Sequence, residues 1–238
     1  MPIRNLIRMN KQVAKETASI VLKDDSFISI AAAVAHGREI FRNIQKFVIY
    51  LVSCNLSEIF IVTGISFFSR ASTLLPLQIL FLNMVTDVFP ALALGVGEGD
   101  KTIMDNPPRN PAKAIITNRN WIAIALYSTV ISVSVIAALL FCKQIITTDA
   151  QVINNVAFIT VAFAQLFHVF NMSSPHSKLL VNEVTTNKFI WVAIFICTAL
   201  MLLIFVVPTI RVVLGLVILP GKVWLVCIIA AMLPLLLV

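Results

Sequence analysis

Asn83-Met84-Val85-Thr86-Asp87, closed three residues later by Pro90, stands in the middle of an apolar segment running from Leu75 to Val96. At about 100° per residue, Asn83, Thr86 and Asp87 fall on one side of a helix and present an amide, a hydroxyl and a carboxylate where hydrocarbon is expected. An ionisable group in mid-membrane costs at least ~2.5 kcal/mol on insertion scales, so it usually faces the bundle interior and marks an ion or substrate path. Pro90 has no N–H to donate. It deprives one carbonyl of its helical partner, opens the helix near Asp87 and frees carbonyl oxygens as further ligands. The competing reading is a polar cluster that only joins helices.

A second polar face lies in the preceding apolar run, Phe47 to Phe68, where Ser53-Cys54-Asn55-Leu56-Ser57-Glu58 puts Asn55 and Glu58 three residues apart on one side. Two neighbouring spans therefore each carry a carboxylate and an amide. Hard cations such as Ca²⁺ take about six to eight oxygen ligands from carboxylates, amides, carbonyls and water, and this pair of faces supplies that chemistry. In the fourth apolar run Gln165, His168 and Asn171 recur every third residue. Gln165 sits deep enough to offer its amide oxygen to the same cation, whereas His168 reads as a helix–helix hydrogen bonder.

Composition sets the frame around these faces. Of 238 residues 59% are hydrophobic and 12% charged, with a mean hydropathy of +0.97, against about 25% charged in soluble chains. The fold class expected is an all-α, polytopic transmembrane bundle with six spans, at 47–68, 75–96, 121–141, 153–170, 189–207 and 223–238. The net charge of +7 is explained by topology. With the N-terminus cytoplasmic, every Lys and Arg except Arg70, Lys143, Arg211 and Lys222 lies inside, as the positive-inside rule requires, so nucleic acid is not an expected partner. The four cysteines fall in or beside apolar runs without CxxC spacing, which argues against a thiolate metal site. No cleavable signal is read at the start.

Residues 1–27 read as the tail of another domain, with Ser19-Ile20-Val21-Leu22 as a strand and Lys23-Asp24-Asp25 as a turn. From Ile28 the sequence becomes helical and runs through Gly37 into the first span, as one long helix that is part cytoplasmic stalk and part membrane. The segment 95–120 is proline-rich, a stiff loop suited to docking on a cytoplasmic surface.

Five motifs in order resemble the C-terminal part of P-type cation-transporting ATPases, most closely the calcium-pump branch. They are Val13-Ala14-Lys15-Glu16-Thr17-Ala18 with Ile20-Val21-Leu22-Lys23-Asp24-Asp25-Ser26-Phe27, then Gly37-Arg38-Glu39-Ile40-Phe41-Arg42-Asn43-Ile44, Asn55-x-x-Glu58, Asn83-x-x-Thr86-Asp87-x-x-Pro90, and Ile103-Met104 before Pro107-Pro108-Arg109. The resemblance implies the last six of ten transmembrane helices, with the first span as the stalk that links the phosphorylation domain to the ion sites. Residues 1–27 would be a remnant of that domain. It also implies that Asn55, Glu58, Asn83, Thr86 and Asp87 coordinate the transported ion. Gln165 stands where two-site calcium pumps have glutamate, Val88 replaces the family's glycine, and Ser19 stands where aspartate is common. The asparagine at 83, where sodium/potassium pumps usually carry aspartate, favours a divalent ion.

The family's Asp-Lys-Thr-Gly phosphorylation motif and its Gly-Asp-Gly-x-Asn-Asp loop do not occur in the sequence. The chain alone is therefore not expected to hydrolyse ATP or to bind a cofactor, Mg-ATP belonging to the domains it lacks. The expectation is a split, frameshifted or cut reading frame in the plasma membrane of a prokaryote. Its partners would be the transported cation, the lipid bilayer and an N-terminal ATPase half if that is encoded separately. Two rivals are a stand-alone six-helix cation/proton exchanger, against which the lack of an inverted repeat counts, and a non-catalytic partner of a separate ATPase half.

Overall fold

The structure, a computed structural model, describes residues 13, 16, 27–68, 74–97, 103–105, 107–108, 113–173 and 182–237. The strand and turn expected at 19–25 lie outside the described residues, as does part of the proline-rich loop. Residues 39–238 form one compact unit. The described residues are helical throughout apart from turns and connections, and none is in a strand.

Helix α1 covers Phe27–Phe68 without interruption, passing Gly37 as the sequence predicts. Helices α2 (Pro76–Leu82) and α3 (Val88–Gly95) form the second apolar segment, joined by a π-helical turn at Asn83–Asp87. Helix α4 (Asn118–Phe141) ends in a second π turn, Cys142–Ile146. Helix α5 (Ala150–His168) tightens into a 3₁₀ turn at Val169–Met172. Then come α6 (Lys188–Val206), the short α7 (Pro208–Val213), absent from the sequence reading, and α8 (Gly221–Leu237). Side-chain caps mark where three of these helices begin. Thr117 accepts from the Asn120 N–H, Asp149 from that of Gln151 and Asn187 from that of Phe189.

Five of these segments are long and apolar enough to cross a membrane: Ile28–Phe67, Pro76–Gly95, Asn118–Ile146, Ala150–Met172 and Lys188–Val206. The sixth apolar helix, α8, has 17 residues and carries Pro234 inside it. At 1.5 Å per residue it reaches only about 26 Å, short of a ~30 Å hydrocarbon core.

Burial ranks the helices. In the most apolar window of Ala150–Met172, 83% of the residues are buried, against 28% for Lys188–Val206, so α5 is the central element and α6 a peripheral one. Helix α5 packs against α4 and α8, and α3 packs against α6. Close approach of α1 and α4 depends on small residues, as helix pairs in lipid prefer. Ser128 and Ser132 of α4 donate across to the carbonyls of Ser53 and Ser57, each at 3.0 Å. At Gly64 an added Cβ would stand 3.2 Å from Ile136 Cδ1.

At the far end of the bundle Gln78, fully buried, ties three elements together. Its Nε2 donates to Asn154 Oδ1 at 2.7 Å and to the Leu214 carbonyl at 2.9 Å, and its Oε1 accepts from the Leu75 N–H at 3.0 Å. The Leu214 carbonyl precedes Gly215, whose φ of +67° suits a residue without a side chain. Gln78→Leu removes the donor to the buried Leu214 carbonyl and the acceptor of the Leu75 N–H together. It is expected to lower stability by about 1–3 kcal/mol, measurable as an earlier unfolding midpoint of the detergent-solubilised protein.

Candidate functional site

The site is built on the interruption between α2 and α3. Proline at position 90 cannot donate to the carbonyl four residues back, at Thr86, nor in π-helical pattern to the one five back, at Val85. In hydrocarbon an unsatisfied carbonyl costs several kcal/mol, so other helices must supply donors. They do: Tyr50 Oη donates to the Thr86 carbonyl at 3.0 Å, and Cys197 Sγ to the Val85 carbonyl at 3.0 Å. Tyr50 also reaches the Gln165 carbonyl at 3.2 Å, at the last turn of α5 before it tightens. Helices α1, α5 and α6 are thereby fastened around the opened turn.

Three of the six sequence-predicted residues make a connected chain there. Gln165 Nε2 donates to Glu58 Oε1 at 3.1 Å and to the Cys54 carbonyl at 3.3 Å. Gln165 Oε1 faces Thr86 Oγ1 at 3.2 Å, a hydroxyl that also approaches the Leu82 carbonyl at 2.8 Å. Asn83, the fourth, shares the opened turn with Thr86. Asp87, the fifth, has Glu58 as its charged neighbour. Glu58, Thr86, Asp87 and Gln165 are all buried.

The sixth residue behaves differently. Asn55 is exposed, and its Nδ2 donates to the Leu51 carbonyl of its own helix at 2.8 Å, so the structure does not bring it to the cluster. Its spacing from Glu58, three residues or about 300°, places the two about 60° apart on α1. Glu58 instead continues the stripe Tyr50, Cys54, Glu58 at intervals of four, all three buried. That interval is the signal by which sequence reasoning could have found Tyr50 and Cys54, which it missed.

On each of three helices the polar residues fall between two apolar layers. Cys54 and Ile61 flank Glu58, Leu82 and Ala91 flank Thr86 and Asp87, and Ala164 and Val169 flank Gln165, with one member of each pair in either cluster. Water is excluded on both sides. Within this layer three buried oxygens accept no hydrogen bond: Asn83 Oδ1 and both carboxylate oxygens of Asp87. A buried carboxylate without donors is costly unless a positive charge compensates it. No group of three His, Cys, Asp or Glu gathers among the described residues, but two carboxylates share the layer with amide and hydroxyl oxygens, the donor types that a hard cation takes.

His168 meets other helices through its ring and not as the helix–helix hydrogen bonder expected, its Nε2 being buried without a hydrogen-bond partner. Its ring stacks on Tyr50 at 5.8 Å and meets the edge of Tyr127 at 4.6 Å, with Nδ1 3.4 Å from Asn171 Nδ2.

The family described as cation transporting ATPase, C-terminus, matches residues 71–238, the greater part of the chain. The chain belongs to the C-terminal part of the cation-transporting ATPases. Among similar proteins, the calcium-transporting ATPase of Bacillus subtilis (strain 168) is 32% identical over 199 residues, 84% of this chain and 22% of that protein. Calcium-transporting ATPase 1 of Bacillus cereus is 31% identical over 211 residues, covering 82% of this chain and 24% of the relative. Calcium-transporting ATPase 1 of Lactococcus lactis is 31% identical over 188 residues, covering 79% and 21%. This ATPase C-terminal domain thus spans between a fifth and a quarter of the length of the relatives it matches, and it is a membrane protein.

The role given to Tyr50 is open to test. In this domain Tyr50→Phe leaves the Thr86 carbonyl without its donor, for an expected loss of about 1–3 kcal/mol of stability. Pro90→Ala returns an N–H to the helix, so the loss caused by Tyr50→Phe should shrink in that background. A double-mutant cycle of denaturant unfolding in detergent checks this, and strictly additive effects would exclude the coupling.

Proposed function

We propose that the chain is the C-terminal membrane half of an ATP-driven pump and supplies part of the binding site for its transported cation, with Ca²⁺ the favoured ion. The observation that carries this reading is the donor-free pair of Asp87 oxygens beside Asn83 Oδ1, in a water-excluding layer that also holds Glu58, Thr86 and Gln165. The calcium-transporting relatives support the choice of ion. Asn55, exposed on α1, completes the ligand set if that helix turns.

In this reading α8 crosses the bilayer as a sixth span, and α1 serves as the stalk, its N-terminal part in the cytoplasm with the chain's N-terminus. The plasma membrane of a prokaryote is the proposed location, consistent with the bacterial relatives. Phosphorylation and Mg-ATP binding belong to the parts of the relatives outside the matched span, whether joined to this chain or supplied by a separate N-terminal half.

The mechanism follows from what fixes the site. Glu58 rides on α1, Asn83, Thr86 and Asp87 on the opened turn, and Gln165 on the buried α5. A tilt of α1 moves Glu58 relative to the other two groups and exchanges a tight arrangement of oxygens for a loose one, which is how a site alternates between affinities. Gln165 holds Glu58 and Thr86 together when no cation does so.

Equilibrium binding of radioactive calcium to the purified protein in detergent tests the assignment. Saturable binding that weakens at least about tenfold in Asp87→Asn, a loss of about 1.4 kcal/mol, with helix content unchanged, is the expected result. Equal binding by the variant would remove Asp87 from the site.

A further inference from the structure

A cavity of about 330 Å³ opens at the basic end of the bundle, between α1, the first turns of α4 and the 3₁₀ turn that ends α5. Among the described residues three cationic side chains line it, Arg42 and Lys46 from α1 and Arg119 from α4, and none of the lining is acidic. Lys46 also pairs with Glu183 at 2.8 Å. Asn120, also in the lining, has a buried Nδ2 with no hydrogen-bond partner. The lining also includes the apolar Ile49, Ala123 and Met172, so the site joins donors to hydrocarbon.

The geometry points to a binding site for the phosphate of an anionic phospholipid. Guanidinium groups offer planar pairs of N–H donors that match phosphate oxygens, and basic pockets between transmembrane helices are suited to acidic headgroups. The phosphate group could equally come from a soluble ester, and the surroundings favour the lipid. Just beyond Arg119 the surface of α4 turns apolar, with Trp121 51% and Ile122 71% exposed. Tryptophan at a helix end marks the headgroup level of a bilayer. A ligand seated between Arg42 and Arg119 therefore has its acyl chains laid along exposed hydrocarbon, which a soluble phosphate does not use. The bound headgroup bridges α1 to α4 near Tyr127, whose hydroxyl lies 3.5 Å from the Asn171 carbonyl, and so braces the helix that carries Glu58. This site is separate from the cation site and does not depend on which ion is transported.

The test uses the full chain in detergent, titrated with dioleoylphosphatidylglycerol, dioleoylphosphatidylcholine or glycerol 3-phosphate while the thermal unfolding midpoint is followed. Ligands that bind only the folded state raise that midpoint in proportion to occupancy. Phosphatidylglycerol is expected to raise it saturably, and the other two are not. The double variant Arg42→Gln/Arg119→Gln should bind phosphatidylglycerol at least about tenfold more weakly while keeping its midpoint in phosphatidylcholine. If the double variant does not fold, Arg119→Gln alone, at an exposed position, should still weaken binding several-fold. An equal response to phosphatidylcholine, or unchanged affinity in the folded variant, would overturn the proposal. A response to glycerol 3-phosphate equal to that for the lipid would overturn the lipid assignment in favour of a soluble anion.

Discussion

Everything near the centre of this bundle follows from one missing hydrogen. Pro90 has no N–H, and the carbonyls of Val85 and Thr86 need donors where water cannot supply them. Cys197 and Tyr50 meet that need from two other helices, so a local defect in one segment becomes a constraint on how three segments assemble. The π turn at Asn83–Asp87 is the visible form of the defect. It is also what groups Asn83, Thr86 and Asp87 with Glu58 and Gln165, since an unbroken helix would keep its carbonyls for itself.

The position of α5 makes this arrangement stable. It is the most enclosed of the spanning helices, and Gln165 on it bonds to α1 by its amide nitrogen and faces α2 and α3 by its amide oxygen. Glutamine serves here because its two ends have opposite hydrogen-bonding character. The basic end of the same bundle is closed by a different set of contacts. Asn43 donates to the Gly97 carbonyl at 2.6 Å, Asn187 to that of Ala93 at 2.9 Å, and Lys46 pairs with Glu183. Helix α1 is therefore bound to the loops at this end as well as to the polar layer.

Much of this was legible in the sequence because membrane burial makes polar residues conspicuous. Asn83, Thr86, Asp87, Glu58 and Gln165 stood out against hydrocarbon, and Pro90 announced the break in the helix. Five spans were readable from apolar length, four of them to within about five residues at each end; the first runs on from the helix before it, at Ile28–Phe67, and the sixth apolar run forms α8, shorter than a span. Two kinds of feature were not readable. Tyr50 and Cys54 pass for ordinary members of an apolar run, and only the interval of four that links them to Glu58 betrays them. The network of Gln78, Asn154 and Leu214 joins residues up to 136 positions apart, a pairing that no local pattern encodes. Asn55 shows the opposite limit: its chemistry was plain, but its direction depended on which side of α1 the neighbouring helices occupy.

Several hydroxyls between these helices face two acceptors with a single proton. Tyr50 lies between the Thr86 and Gln165 carbonyls, Ser128 between those of Ile124 and Ser53, and Ser132 between those of Ser128 and Ser57. A hydroxyl placed in this way loses nothing when its proton swings from one oxygen to the other. Helices joined by such groups can shift past each other by a fraction of an ångström without breaking a bond outright. The seams of α1 against its neighbours thus act as bearings rather than welds: they carry load across the bundle and resist separation, yet offer little friction to sliding.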